Sequence, residues 1–195
     1  FLYMGAGTER SQLAALADFT RYGDTVRALA ENGTAMLFAG TAMELLGKTI
    51  TDASGKEHPG IALADFTSVQ GTRRIVGDVY GKTDICPQAV VGFMNKCALI
   101  RGVEAPLLTA CTMGFGNESQ GGAEGYHKGN VFASELTGPL LVKNPRLLET
   151  VVQAIYARRG QTLPEEKPSF PHAQAGYAMT AEQLRLRLEK ENAAK

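Results

Sequence analysis

Leu37-Phe-Ala-Gly-Thr-Ala-Met-Glu-Leu-Leu-Gly47 is the stretch on which the fold turns. Thr34 to Phe38 reads as a strand, Ala39 to Thr41 as a sharp turn and Ala42 to Leu46 as a short helix. Strand, turn and helix in that order form the framework of a nucleophile elbow, a bend that lifts a reactive side chain above the end of a sheet. The residue at the bend is Gly40, which has no side chain to lift.

Outward from this bend the chain alternates strand and helix. Upstream, Phe1 to Met4 reads as a short buried strand running into a turn at Gly5 and Gly7. Ser11 to Phe19 and Asp24 to Asn32 carry apolar residues at helical spacing, and Gly33 sits where a helix C-terminal stop belongs. The chain opens at Phe1 rather than at Met, already inside a strand, so a further upstream segment of the natural protein is expected.

Downstream, Ile61 to Leu108 is richer in β-branched and aromatic residues, with strands over Ile75 to Tyr80 and Ala89 to Phe93. Gly114 to Gly129 is a polar, glycine-rich loop, and Asn130 to Leu136 reads as a last strand. Asn144 caps a helix with Pro145 at its first position, which runs to Gly160. A tail from Gln161 to Tyr177, with Pro164, Pro168 and Pro171, reads as an extended excursion over the surface. A final helix then opens on the capping-box pattern Thr180-Ala-Glu-Gln183 and puts Leu184 and Leu188 on one face. The pattern predicts an α/β fold, a three-layer and mostly parallel sheet flanked by helices, with room for antiparallel strands in the middle. Residues 1–160 form the domain, and residues 161–195 are expected to pack on it.

A chain of 195 residues with 44% hydrophobic composition can bury one sizeable core. Twenty basic and 20 acidic side chains cancel, so no global field draws nucleic acid or an anionic membrane. Three cysteines, Cys86, Cys97 and Cys111, lack CxxC spacing and a histidine pattern for zinc; they read as cytoplasmic thiols, and no metal or cofactor is expected. No apolar run approaches the roughly 20 residues that span a bilayer, and no signal peptide is visible. The glycine-rich loop lacks the Gly-x4-Gly-Lys-Ser/Thr order of a nucleotide site, which leaves it at most a wall of the site.

The elbow Gly40-Thr-Ala-Met-Glu-Leu-Leu-Gly47 is similar to the Cys-Gly-Gly-Tyr-Gln-Leu-Leu-Gly elbow of class I glutamine amidotransferases, in the branch of cobyric acid synthase and the glutaminase subunit of lipid II isoglutaminyl synthase. The later segment Leu136-Thr-Gly-Pro-Leu-Leu141 with Lys143-Asn-Pro145 resembles that branch's Leu-His-Gly-Pro-Leu-Leu and Lys-Asn-Pro, preceded by Gly116-Asn117 and Glu124-Gly125. Arg74-Ile-Val-Gly-Asp78 and Val91-Gly-Phe-Met-Asn95 fit, in order, the family's Arg before Ile-Gly-Asp and its Gly-Phe-Glu-Asn-His. Several blocks in sequence are far more specific than any one of them. The resemblance implies a flavodoxin-like fold and a chemistry in which an elbow Cys attacks the side-chain amide of glutamine, a His moves its proton, and backbone N–H groups hold the oxyanion.

In this register Gly40 stands at the Cys position and Thr137 at the His position. Glycine carries no nucleophile, and threonine is no general base near neutral pH. Loss of both reads as a natural pseudo-glutaminase that keeps the fold to bind a partner, a Mur-ligase-like synthetase, or a ligand, glutamine or a related small acid. The alternative is an active amidotransferase that supplies ammonia to a Mur-ligase-like or cobyrinate-type synthetase through other residues, with Cys97, or Cys111 and His127, as candidates. Peptidoglycan and corrinoid amidation both stay open as pathways. The resemblance also makes Arg74 the residue that holds a glutamine α-carboxylate, with a solvated surface arginine as the other reading. Gly5 and Gly7, in Gly5-Ala-Gly-Thr-Glu-Arg-Ser-Gln12, match the family's Gly-Gly-Gly-Gln-Asp-x-Glu-Gln turn; they suit a backbone nest for anions or a plain tight turn. Asn95 completes the expected substrate-binding set.

Overall fold

The structure is a computed structural model that describes residues 1–165 and 169–193. Thr8 accepts the Ser11 amide on its side chain and so starts helix α1 (Glu9–Phe19), which a short 3-10 turn links to α2 (Gly23–Glu31). Gly33, at φ +73°, ends α2 in the left-handed conformation, with Gly33 N–H and Thr34 N–H donating back to Ala30 and Leu29 carbonyls. The chain then enters β2 (Met36–Ala39), which lies between β1 (Leu2–Met4) and β9 (Val131–Ser134), parallel to both. β8 (Tyr126–Lys128) closes this four-stranded sheet antiparallel to β9.

The middle of the chain builds a second sheet. Its spine is a long antiparallel pair, β5 (Thr67–Lys82) and β6 (Val90–Arg101), which absorbs both strands expected there. β3 (Thr49–Thr51), β4 (Glu57–Pro59), β7 (Ala110–Met113) and β10 (Leu136–Thr137) attach to that pair in a six-stranded sheet, in which only β3 and β5 run parallel. The expected α/β architecture is present, with its parallel pairing concentrated around β2 and the antiparallel strands supplied by the β-rich middle.

Alternation along the strands divides the core. Met36 and Phe38 of β2, with Val131 and Ala133 of β9, face one buried cluster that includes Met43, Leu46 and Phe66. Leu37 and Phe132, of opposite parity, face another with Val79, Met94, Leu107 and Leu147. Because both faces of β2 are covered, all four of its residues are buried. β1 departs from the expected burial: it is the sheet edge with β2 as its one neighbour, and Phe1 and Tyr3 are exposed.

Three boundary expectations are corrected by tertiary contacts. The last strand breaks at Glu135, so that β9 joins one sheet and β10 the other. Helix α3 (Leu140–Lys143) leads to α4 (Pro145–Arg158), but Asn144 makes no side-chain cap; its amide clamps the Val91 backbone, accepting from Val91 N and donating to Val91 O and Leu140 O, each at 2.8 Å. The final helix α5 (Pro171–Ala193) begins well before Thr180, whose hydroxyl donates to Gly176 O in mid-helix. Pro168 lies outside the described residues. Leu184 and Leu188 do share a face, packed with Val91 and Met113, while Tyr177 Oη donates to Ala89 O at 2.8 Å. Among the described residues no helix is long and apolar enough to cross a membrane.

Candidate functional site

The bend after β2 has the elbow's backbone. Ala39 is extended, Gly40 takes φ +60°, and Gly40–Leu46 winds as a 3-10 helix. That φ belongs to the left-handed region, which costs a residue with a Cβ roughly 1–2 kcal/mol. The space above the bend is closed as well: a Cβ at Gly40 would lie 2.5 Å from Ala6 Cβ, 3.1 Å from Ala6 Cα and 3.5 Å from Thr137 Cγ2. The fold therefore brings Gly40 and Thr137 face to face, and it sets the Ala6 methyl where a side chain at residue 40 would emerge. Ala6 stands where the resembling turn has its middle glycine, a departure visible in the sequence but uninformative until the two loops meet in space.

The turn before α1 is stitched to the elbow. Gly7 N–H donates to Thr41 Oγ1 at 3.1 Å, Thr41 Oγ1 donates to Gly7 O at 3.1 Å, and Gln12 Nε2 donates to Thr41 O at 2.8 Å. Gly5 and Gly7 have no positive φ, and the Gly7 amide is bonded to Thr41 Oγ1.

Arg74 reaches the same neighbourhood from a bulge. Gln70 pairs with Ala98 and Ile75 with Lys96, which leaves Gly71 to Arg74 lifted out of the β5–β6 ladder opposite Cys97. From there Arg74 donates to Glu9 Oε1 at 2.6 Å and to Asn95 Oδ1 at 2.9 Å. Arg74 and Asn95 are thus in contact, and Glu9, which drew no functional reading from the sequence, holds the guanidinium. Burial alone would raise the Glu9 carboxyl, but its own backbone amide, the Cys97 thiol and Arg74 outweigh that and hold it below the usual range.

Beneath the elbow lies a buried polar layer in which Glu44, Asn117 and Glu124 come from the quoted blocks, while Ser68, Lys96 and Glu135 drew no reading from the sequence. Glu44, in the elbow helix, accepts the Ser68 hydroxyl, and burial pushes its carboxyl up. Lys96 pairs with Glu135, both side chains nearly inaccessible, and also donates to Gly116 O at 2.9 Å and Asn117 O at 3.2 Å, which pins the glycine-rich loop. Glu124 accepts Ser134 Oγ and Glu135 N, and burial raises its carboxyl to about 7. Burial likewise pushes Glu135 up, against the pull of Lys96.

The candidate thiols are differently placed from a Cys–His pair. Cys97 donates to Glu9 Oε1 at 3.3 Å; burial first, then Glu9, pushes its pKa up to about 11. Cys111 is buried and raised to about 12, while Cys86 and Cys97 are only partly buried, so just one of the three is the wholly buried residue its type suggests. Among the described residues no cysteine hydrogen-bonds a histidine: His58 pairs with Asp52 at 2.8 Å and the His127 ring lies against Phe132 with centroids 4.8 Å apart.

A left-handed bend between a parallel strand and a helix, faced by Thr137, is the backbone of a nucleophile elbow. The chain belongs to the CobB/CobQ-like glutamine amidotransferase domain family, whose profile matches residues 1–145. It is 27% identical over 158 residues to the lipid II isoglutaminyl synthase (glutamine-hydrolyzing) subunit GatD of Staphylococcus aureus, covering 81% of this chain and 64% of that protein. It is 26% identical over 165 residues to the subunit of the same name from Streptococcus pneumoniae, covering 83% of this chain and 63% of that protein. The chain thus spans just under two thirds of the length of these curated relatives.

Proposed function

We propose that this domain does not hydrolyse glutamine and instead serves as a partner-binding or ligand-binding subunit, in the manner of the glutaminase subunits it resembles but without their chemistry. The observation that carries this reading is the contact of Ala6 with the position above Gly40. An elbow that has lost only its nucleophile keeps the hole the nucleophile occupied, whereas here a methyl group fills it. Thr137 fits the same reading, because its hydroxyl donates to Phe93 O at 3.0 Å and serves the β10–β6 pairing. The partner that best suits the relatives' description as one subunit of a synthase is a Mur-ligase-like synthetase, and lipid II amidation is the favoured setting over corrinoid amidation.

Acyl transfer from glutamine needs a thiolate within bonding distance of the amide carbon and a base to move its proton. Cys97 and Cys111 have raised pKa values and, among the described residues, no imidazole partner, which disfavours a relocated site. The test is ammonia release from glutamine by the purified protein, alone and with a Mur-ligase-like partner. The expected result is no release above the buffer blank and no covalent glutamyl adduct by intact mass. Release that disappears on Cys97→Ser or Cys111→Ser overturns the proposal.

A further inference from the structure

A cleft of about 400 Å3 lies between the segment 63–66 and the loop 102–105 that follows β6, with Tyr126 and Lys128 of β8 completing its lining. It shares no residue with the elbow or with the group around Arg74. Tyr126 singles it out: the residue is 7% exposed, its ring meets Phe66 edge-on with centroids 5.9 Å apart, and its hydroxyl has no hydrogen-bond partner among the described residues. Every fully enclosed side-chain nitrogen or oxygen among those residues does have a partner, so this hydroxyl is where the ring reaches solvent, and the cleft is the opening it reaches. Burial first, then Asp65, pushes its pKa up, so it stays a proton donor.

Two charges of opposite sign stand free beside it. Asp65 is engaged by Lys48 at 2.7 Å, whereas Glu104 and Lys128 make no ion pair among the described residues. They come from neighbouring walls: His127 N–H donates to Ala105 O at 2.8 Å, which sets the loop alongside β8 and brings the residue before Ala105 near the residue after His127. The Val103, Glu104 and Ala105 amides carry no hydrogen bond either. The opposite wall is preformed. Ala62 takes φ +50°, a conformation held at a residue with a Cβ only where its surroundings enforce it, and the Ala62, Leu63 and Ala64 amides donate to Gly47 O and Leu46 O at 2.9–3.0 Å. An acid, a base and an unbonded hydroxyl over apolar walls match a small ligand that carries both charges on an apolar body, because a ligand of one sign would leave one of the two without a partner.

We propose that this cleft binds a free amino acid with an apolar side chain: its carboxylate meets Lys128 and the Tyr126 hydroxyl, its ammonium meets Glu104, and its side chain lies against Leu63, Val103 and the Tyr126 ring. The site goes beyond the function proposed above and does not depend on it, since no elbow residue takes part.

The probe is L-phenylalanine, with N-acetyl-L-phenylalanine and L-phenylalaninamide as controls that each lack one charge, titrated calorimetrically into the whole chain and its Glu104→Gln, Lys128→Met and Tyr126→Phe variants. Glu104 and Lys128 are exposed, so their substitutions leave the fold intact. The expected result is saturable heat with the amino acid, about tenfold weaker binding in Glu104→Gln and in Lys128→Met, about fivefold weaker binding in Tyr126→Phe, and no binding of either control. No saturable heat, affinity unchanged in any of the three variants, or a control that binds as tightly as the amino acid overturns the proposal. Amide NMR of the unsubstituted chain gives a map that needs no variant: L-phenylalanine shifts the Val103 to Ala105, Tyr126 and Lys128 signals and leaves those of Gly5, Gly40 and Thr137 in place. Shifts centred on the elbow instead also overturn the site.

Discussion

Thr137 and Glu135 stand two residues apart on the same segment and face opposite fates. The elbow around Thr137, Gly40 and Ala6 has the backbone of a nucleophile elbow with a glycine at its bend and a methyl group above it, whereas the interior around Glu135, Lys96 and Glu124 carries ionisable groups that are almost wholly buried. At the elbow the bend is held by bonds from elsewhere, chiefly Thr41 to Gly7 and Gln12 to Thr41, so its shape does not depend on what residue 40 presents. In the buried layer Lys96 and Glu135 depend on one another, each being the other's ion-pair partner. The bend tolerates a residue that presents nothing, whereas removing one partner of an interior ion pair leaves a buried charge uncompensated.

The largest expected effect breaks the filled half of this contrast. Lys96→Met strands the Glu135 carboxyl and frees the Gly116 and Asn117 carbonyls, and stability should fall by about 3–5 kcal/mol in chemical denaturation. The double variant Lys96→Met/Glu135→Leu should recover much of that loss; if Lys96→Met alone is neutral, the pair is not what holds the loop.

The next tests the emptied half. Gly40→Ala places a Cβ in a left-handed conformation and against Ala6, with an expected cost of about 2 kcal/mol or more. Ala6→Gly in the same chain should return the steric part and leave the conformational part, measured as a non-additive double-mutant cycle. Additive costs would mean that the methyl and residue 40 do not meet.

The smallest is a pH dependence. Glu124 is raised from an ordinary 4.5 to about 7, so between those values the folded protein holds a proton that the unfolded chain has released. Its contribution to stability is complete below pH 4.5 and is lost as pH rises through 7. Denaturation midpoints should therefore decline from pH 5 to pH 8, and Glu124→Gln should flatten that slope. A slope unchanged by the substitution would remove Glu124 as its cause.

The two halves were unequally legible. Gly33, Gly40 and Pro145 punctuate the chain by their own backbone restrictions, and the order of short blocks from Gly5 to Pro145 pointed to the family that the profile match bears out. The capping pattern at Thr180 misled because capping is decided where a helix starts, and α5 already runs from Pro171. Asn144 reads as a cap by position, but its three bonds to Val91 and Leu140 commit both amide donors and the oxygen elsewhere.

The sequence by itself determined the alternation of strands and helices and the bend at residue 40, because each follows from residue type and short-range spacing, and it showed glycine and threonine at positions 40 and 137, which the family resemblance aligns with a Cys and a His. Only the tertiary structure decided that Ala6 fills the space above that bend, that Glu9 occupies Arg74, and that Lys96 is buried against Glu135. These are contacts between residues 34 to 65 positions apart, set by how the sheets stack and by the bulge in β5. Spacing along a chain carries a periodicity, but it carries no distance between loops that meet only after the core has closed.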